Sequence, residues 1–280
     1  MQINEKHLLI GNVRWVRSPN HGGYLENKEP DTIVIHYTAG SSAESSVRSL
    51  CSETSKASAH LVIGRDGSIF QLVPFNIAAW HAGVSEHSAT GRKGLNRYSI
   101  GIELDNAGVL TKQNDESYLS WFGKSYPANE VVSAVHRNQT TERYWHLYTQ
   151  PQLEACLEVC RVLAARYPIR FVLGHEEISP GRKVDPGPAF PLEKFRDKVL
   201  DLDRSDVDEL ADSSEEKPVI MTVNIDRLNI RTGAGPNHDL ARSNPLNEGD
   251  TVKVLKHQNK WVQVDHNGLI GWVNGKYLKA

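Results

Sequence analysis

The sequence predicts an α/β domain over residues 1–200, an acidic linker over 201–219 and a small all-β domain over 220–280. Three observations carry this division. In the first 200 residues, short β-branched runs at 32–36, 61–63, 69–73, 98–104 and 169–173 alternate with segments whose apolar residues recur at helical spacing. Residues 201–217 hold eight acids against Arg204 and Lys217, a net charge of −6 with no aromatic, the composition of an extended solvated tract. From 220 onward, alternating runs at 221–225, 251–255, 261–265 and 270–273 are punctuated by Gly, Asn, Asp and Pro, the pattern of a small β-barrel.

Taken in order, residues 14–21 lead into the first core strand, and His21 sits in a Gly-rich turn where a solvated role is expected. The strand Thr32-Ile33-Val34-Ile35-His36 ends in a histidine. A helix is expected over 43–54, with Val47, Leu50 and Cys51 on its apolar face. A β-hairpin follows, its arms at 59–64 and 69–73 and its turn at Arg65-Asp66-Gly67-Ser68; His60 lies at its start. Tyr98 to Leu104 alternates strictly, which places Glu103 beside Gly101 on the face opposite Ile100 and Ile102. Residues 107–148 are the least regular stretch and the most aromatic, and His136 and His146 within it read as surface residues. Thr149-Gln150-Pro151 opens a helix whose buried face carries Cys156 and Cys160, and 191–200 reads as a closing helix.

The chemistry concentrates in 174–188. His175 falls where a buried strand leaves the sheet, and Asp185 returns ten residues later through a Gly- and Pro-rich turn expected to be non-helical. Two ligands hold no zinc, and His36, at the end of another apolar strand, is the best third. Two histidines and one carboxylate leave an open fourth position, as catalytic rather than structural zinc sites do. A carboxylate near the end of an apolar strand, as Glu103 is, costs free energy unless paired or useful.

Composition bounds the function. The 280 residues are 39% hydrophobic and 24% charged, ordinary for a globular protein, and the net charge of −2 contains no clustered basic face of the kind nucleic acid requires. No run approaches the ~18 apolar residues of a membrane span. The first eleven residues carry an acid where a secretion signal is basic, and three cysteines fit neither a disulfide framework nor a CxxC pair. A cytoplasmic, reducing compartment is therefore expected.

With the motifs placed, the chain resembles the zinc amidases of the AmpD/AmiD type, in the superfamily that includes peptidoglycan recognition proteins. The resemblance runs through Ile33 to His36, Ser58 to Gly67, Ala79-Trp80-His81-Ala82-Gly83, Ser99 to Leu104 and the 174–188 loop. It implies a mixed central β-sheet flanked by helices, Zn2+ as cofactor, and cleavage of the amide between N-acetylmuramic acid and L-alanine in peptidoglycan or muropeptides. It further implies that Glu103 is the acid/base and that Lys183 faces the oxyanion, while Tyr37, His60, Trp80, His81 and Arg182 are candidate substrate contacts. For Trp80 and His81 the competing reading is a core plug and a satisfied histidine. The tyrosine that precedes the hairpin histidine in phage-type relatives is Ala59 here, so tyrosine-based catalysis is not expected. Residues 228–236 and Gly271-Trp272-Val273 resemble bacterial SH3 domains, which implies Trp261, Trp272 and Tyr277 around a wall-binding groove or in the barrel core. Two other functions compete: a peptidoglycan-recognition protein without chemistry, and a zinc peptidase acting on another amide, against which the absence of HExxH counts. A wall-binding module also allows delivery to the wall by lysis or a non-Sec route.

Overall fold

A computed structural model describes residues 1–200 except 115, and 220–279 except 237, 242–244 and 259. The chain divides into two compact units, Met1–Arg204 and Ser205–Ala280. The linker expected over 201–219 lies outside the described residues.

The first unit is built on a six-stranded sheet in the order Phe171–Gly174, Thr32–Tyr37, Ser99–Leu104, Leu61–Ile63, Ile69–Gln71, Val13–Trp15. All neighbouring pairs are parallel except the hairpin of Leu61–Ile63 with Ile69–Gln71, so the sheet is mixed. The β-branched runs form its strands because both faces are covered. Ile33, Ile35, Ile100 and Ile102 pack under helices α2 (Gln150–Arg166) and α4 (Leu192–Leu200), whose Cys156, Val159, Cys160, Leu163 and Phe195 complete that core. Cys156 and Cys160 are thus packing residues with free thiols. The opposite face begins with Val34 and Leu173 under Ala82, Leu95 and Ile178. Helix α1 (Ala43–Leu50), shorter than its apolar pattern suggested, is capped by Ser42 and packs Ala43 and Val47 on Val62 and Phe70. Side-chain alternation places His36 on the same face as Val34, and Glu103 is paired in register with His36. Both therefore stand at the carboxyl ends of parallel strands, where open α/β sheets hold their ligands.

Three expectations need correction. Residues 107–148 are not irregular: they form a five-stranded antiparallel sheet in the order Ser125–Pro127, Ser117–Leu119, Val109–Lys112, Glu142–His146, Val131–Val135. The strands are only three to five residues long and one-sided, closing over Leu110, Tyr118 and Tyr126, so their alternation was too short to read. His136 and His146 are buried, not on the surface. His146 Nδ1 accepts from the Ala107 N–H at 3.1 Å, and His136 is tied to Glu176 at 2.7 Å. Last, His175 opens a helical turn, α3 (His175–Ile178), before the loop begins. The turn forms because the Glu177 carboxylate accepts the Gly174 N–H at its own start.

Residues 220–279 form an antiparallel sheet in the order Leu269–Asn274, Trp261–His266, Thr251–Gln258, Ile220–Val223, Leu278–Lys279. Val223, Leu228, Ile230, Val252, Val262, Val264 and Val273 fill its core. Trp272 is buried, whereas Trp261 and Tyr277 are half-exposed. No helix among the described residues is long and apolar enough to cross a membrane.

Candidate metal centre and cleft

His36, His175 and Asp185 converge from three elements. His36 is the penultimate residue of its strand, His175 follows the neighbouring strand by one residue, and Asp185 returns because its carbonyl accepts the Glu176 N–H at 2.8 Å. His36 Nδ1 lies 2.9 Å from His175 Nδ1, and Asp185 Oδ2 lies 3.0 and 2.9 Å from the two rings. All three side chains are buried. Three lone-pair-bearing atoms this close repel one another unless a proton or a cation stands between them. Tetrahedral zinc, with bonds of ~2.0–2.1 Å, sets its ligands about 3.3 Å apart, so the triangle fits zinc after a shift of a few tenths of an ångström.

The electrostatics agree with a cation site. Burial, reinforced by His175, lowers the His36 pKa to about 4, so its ring is neutral near pH 7. Burial works to raise the Asp185 pKa, but the adjacent His175 and His36 rings outweigh it and hold the carboxyl well below the usual range. The loop is braced from behind. Asn138 N–H donates to His136 Nδ1, so His136 Nε2–H donates to Glu176 Oε2, which also accepts the Gly187 N–H at 3.1 Å. Gly187, at φ +72°, lies against the Trp145 ring, where a side chain would not fit. Trp145 in turn stacks on His136.

A cleft of about 360 Å³ opens above the triangle, bordered by Tyr37, Trp80, His81, Glu103, Arg182 and Lys183. It adjoins a second hollow of about 400 Å³ that shares Thr38, Ala39, Leu50 and Glu103 and is walled by Ser45, Ser49, Trp121 and Phe122. Glu103 stands between the two. Its Oε2 is sealed from solvent without a hydrogen-bond partner, and burial, aided by the Asp185 charge, raises its pKa to about 8 against the opposing pull of Lys183.

The expected substrate contacts divide. Trp80 is 39% exposed at the cleft rim, so it is not a core plug. Tyr37 borders the cleft with its ring against Gly108, and burial raises its phenol pKa. His60 does not reach the cleft: Nδ1 accepts the Gly101 N–H at 3.0 Å and Nε2 donates to the Ile77 carbonyl at 2.8 Å, which ties the hairpin to the sheet. His81 is also buried, with Nδ1 3.0 Å from His36 Nε2 and Nε2 3.2 Å from Ser99 Oγ. Both of its ring nitrogens are thus engaged within the protein, although the ring also borders the cleft. Arg182 borders the cleft, but its Nη2 is spent on the Ala82 and Val84 carbonyls and Ser179 Oγ, bracing that loop. From sequence, Trp121 is one of the aromatics of 107–148 to which no contact is assigned. It is 77% exposed and borders the second hollow, with its Nε1 donating to the Ala39 carbonyl at 2.8 Å and its ring edge-to-face with Phe122. Its signal was an aromatic pair just before Gly123 at a turn tip.

Residues 26–188 match the Amidase_2 family, described as N-acetylmuramoyl-L-alanine amidase, and residues 226–279 match the bacterial SH3 domain. The 1,6-anhydro-N-acetylmuramyl-L-alanine amidase AmpD of Escherichia coli K12 is 36% identical over 143 residues, which is 50% of this chain and 57% of that protein. The chain thus spans little more than half the length of this relative. AmpD of Enterobacter cloacae is 31% identical over 202 residues, covering 65% of this chain and 88% of that one. The solved E. coli AmiD, in complex with anhydro-N-acetylmuramic acid-L-Ala-D-gamma-Glu-L-Lys, is 29% identical over 69% of this chain and 66% of its own, with a TM-score of 0.45. With a family match over more than half its residues, enclosing both histidines and the aspartate, the chain belongs to the Amidase_2 family of N-acetylmuramoyl-L-alanine amidases.

Proposed function

We propose that the chain is a zinc-dependent hydrolase of the amide between N-acetylmuramic acid and L-alanine in peptidoglycan or muropeptides. The observation that carries this reading is Glu103, its Oε2 sealed without a partner and its pKa raised to about 8, beside the buried His36–His175–Asp185 triangle. A pure binding module gains nothing from a carboxyl with one oxygen buried and unpaired, whose desolvation is a cost. A general base and acid needs a pKa near the working pH, which this environment supplies.

His36, His175 and Asp185 would hold zinc, which when bound supplies Lewis acidity that polarises a carbonyl and acidifies water. Glu103 takes the proton from the water that adds to the lactyl carbonyl carbon. As the C–N bond breaks, it passes that proton to the leaving L-alanine nitrogen. Lys183, facing the same cleft, offers positive charge where the carbonyl oxygen gains negative charge. Trp80 borders one hollow and Trp121 the other, and each would present its ring to sugar or peptide near Glu103, which lines both. On the same reading the SH3 domain gives polymeric peptidoglycan a second attachment.

Mass spectrometry of products tests this with intact sacculi and, separately, 1,6-anhydro-muropeptides, with and without chelator. Stem peptides beginning with L-alanine, lost with chelator and restored by zinc, are expected. Cleavage at another stem-peptide amide would move the assignment to a peptidase, and binding without cleavage would leave a recognition protein.

A further inference from the structure

We infer that His81 and Ser99 form a hydrogen-bonded chain that sets the tautomer of His36 and keeps its Nδ1 lone pair free for the cation. The inference rests on the metal reading of His36, His175 and Asp185, and concerns how that site is prepared. His36, His81 and Ser99 are all buried, at 1%, 9% and 0% exposure. Three links join them: His36 Nε2 to His81 Nδ1 at 3.0 Å, His81 Nε2 to Ser99 Oγ at 3.2 Å, and Ser99 Oγ to the Leu95 carbonyl at 2.6 Å.

The direction of every proton follows from the far end. A carbonyl only accepts, so the Ser99 hydroxyl donates to Leu95. That uses its single hydrogen, so Ser99 Oγ accepts from His81, which must carry Nε2–H. An uncharged imidazole has one N–H, and in His81 the bond to Ser99 Oγ places it at Nε2. His81 Nδ1 is therefore bare and accepts from His36 Nε2–H. His36 Nδ1 is left without a proton, aimed at His175 and Asp185.

This arrangement opposes a local pull. Asp185 Oδ2 lies 3.0 Å from His36 Nδ1, where a charge-assisted bond would favour the other tautomer. Adopting it would bare His36 Nε2, reverse His81 and turn the Ser99 hydroxyl away from Leu95, so the three links reverse together or not at all. Gly101 belongs to the device. A Cβ there would overlap the His81 ring, so only glycine leaves the space behind His36. Asn96 Oδ1 holds the loop by accepting the His81 and Ala82 N–H groups at 3.1 and 2.7 Å.

Imidazole nitrogen-15 spectra of the metal-free protein, together with zinc affinity by chelator competition, test the chain. The spectra should show His36 protonated at Nε2, and Ser99→Ala should raise the Nδ1–H population. His81→Leu should weaken zinc about 10- to 100-fold, as loss of an orienting partner does. His81→Asn, whose Oδ1 falls where Nδ1 lies and still accepts from His36, should recover most of that affinity. Equal weakening by Leu and Asn, or a wild-type His36 protonated at Nδ1, overturns the inference. If His81→Leu does not fold, Ser99→Ala decides alone: an unchanged His36 tautomer overturns it. Unaltered protein that binds no zinc overturns the metal reading itself, and is told apart because the spectra of the chain remain as expected.

Discussion

Replacing Glu103 with glutamine should make the metal-free protein more resistant to unfolding at alkaline pH while disabling the enzyme. Burial raises the Glu103 pKa from 4.5 to about 8, so the folded state disfavours the ionised form. The neutral carboxyl carries no such penalty below pH 4.5; the penalty grows as pH rises through about 8 and is constant above. At about 1.4 kcal/mol per pH unit the ceiling is near 5 kcal/mol, and screening through the open cleft reduces this to about 2 kcal/mol. Glutamine never ionises, but its amide is also left short of partners, a cost of about 1–2 kcal/mol that does not vary with pH. The diagnostic is therefore the slope. Thermal unfolding of chelator-treated protein from pH 5 to 9 should show Tm of the variant rising relative to wild type by about 4–8 °C in total. Zinc must be absent, because a neighbouring dication stabilises the carboxylate and cancels the effect. With zinc restored, kcat should fall about 10²- to 10⁴-fold with little change in KM. Parallel Tm profiles for the two proteins would refute the account of Glu103 as a desolvated, unpaired acid.

Three other substitutions probe separate parts of the site. Lys183→Met should lower kcat by about 10²-fold and move the pH limb governed by Glu103 upward, since Lys183 holds that pKa down; steady-state pH profiles check both. Gly101→Ala forces a methyl into the His81 ring and should cost about 1–3 kcal/mol, a Tm loss readable by calorimetry. Trp121→Ala, at an exposed position, should leave stability within about 0.5 kcal/mol of wild type while raising KM for muropeptides several-fold; an unchanged KM would remove Trp121 from the substrate path.

How far the sequence reached follows from what each residue's environment requires. His36, His175 and Asp185 were legible because each interrupts a pattern: a histidine closing an apolar strand, or a carboxylate in a Gly- and Pro-rich turn. Glu103 stood out for the same reason, one acid in an alternating apolar strand. The central strands and α2 were legible from long runs and a clear helical face. His60 misled because a histidine beside a strand looks the same whether it meets a ligand or the backbone; only its bonds to the Gly101 N–H and the Ile77 carbonyl decide. The sheet within 107–148 was hidden because its strands are short and its core is a handful of aromatics. Burial of His136 depended on Glu176, forty residues away in sequence, which no local pattern reveals.

The brace from His136 and Trp145 to the metal loop has a consequence for redesign. Surface inserts that border a binding cleft are natural units to exchange between relatives when specificity is to be altered. Here such an exchange would not be neutral for the cofactor. The 107–148 segment supplies the imidazole that positions Glu176 and the indole that seats Gly187, and both hold the return of Asp185. A transplanted insert lacking those two contacts would be selected for a new substrate and lose its grip on zinc, so an inactive chimaera should be assayed for bound metal before its specificity is judged.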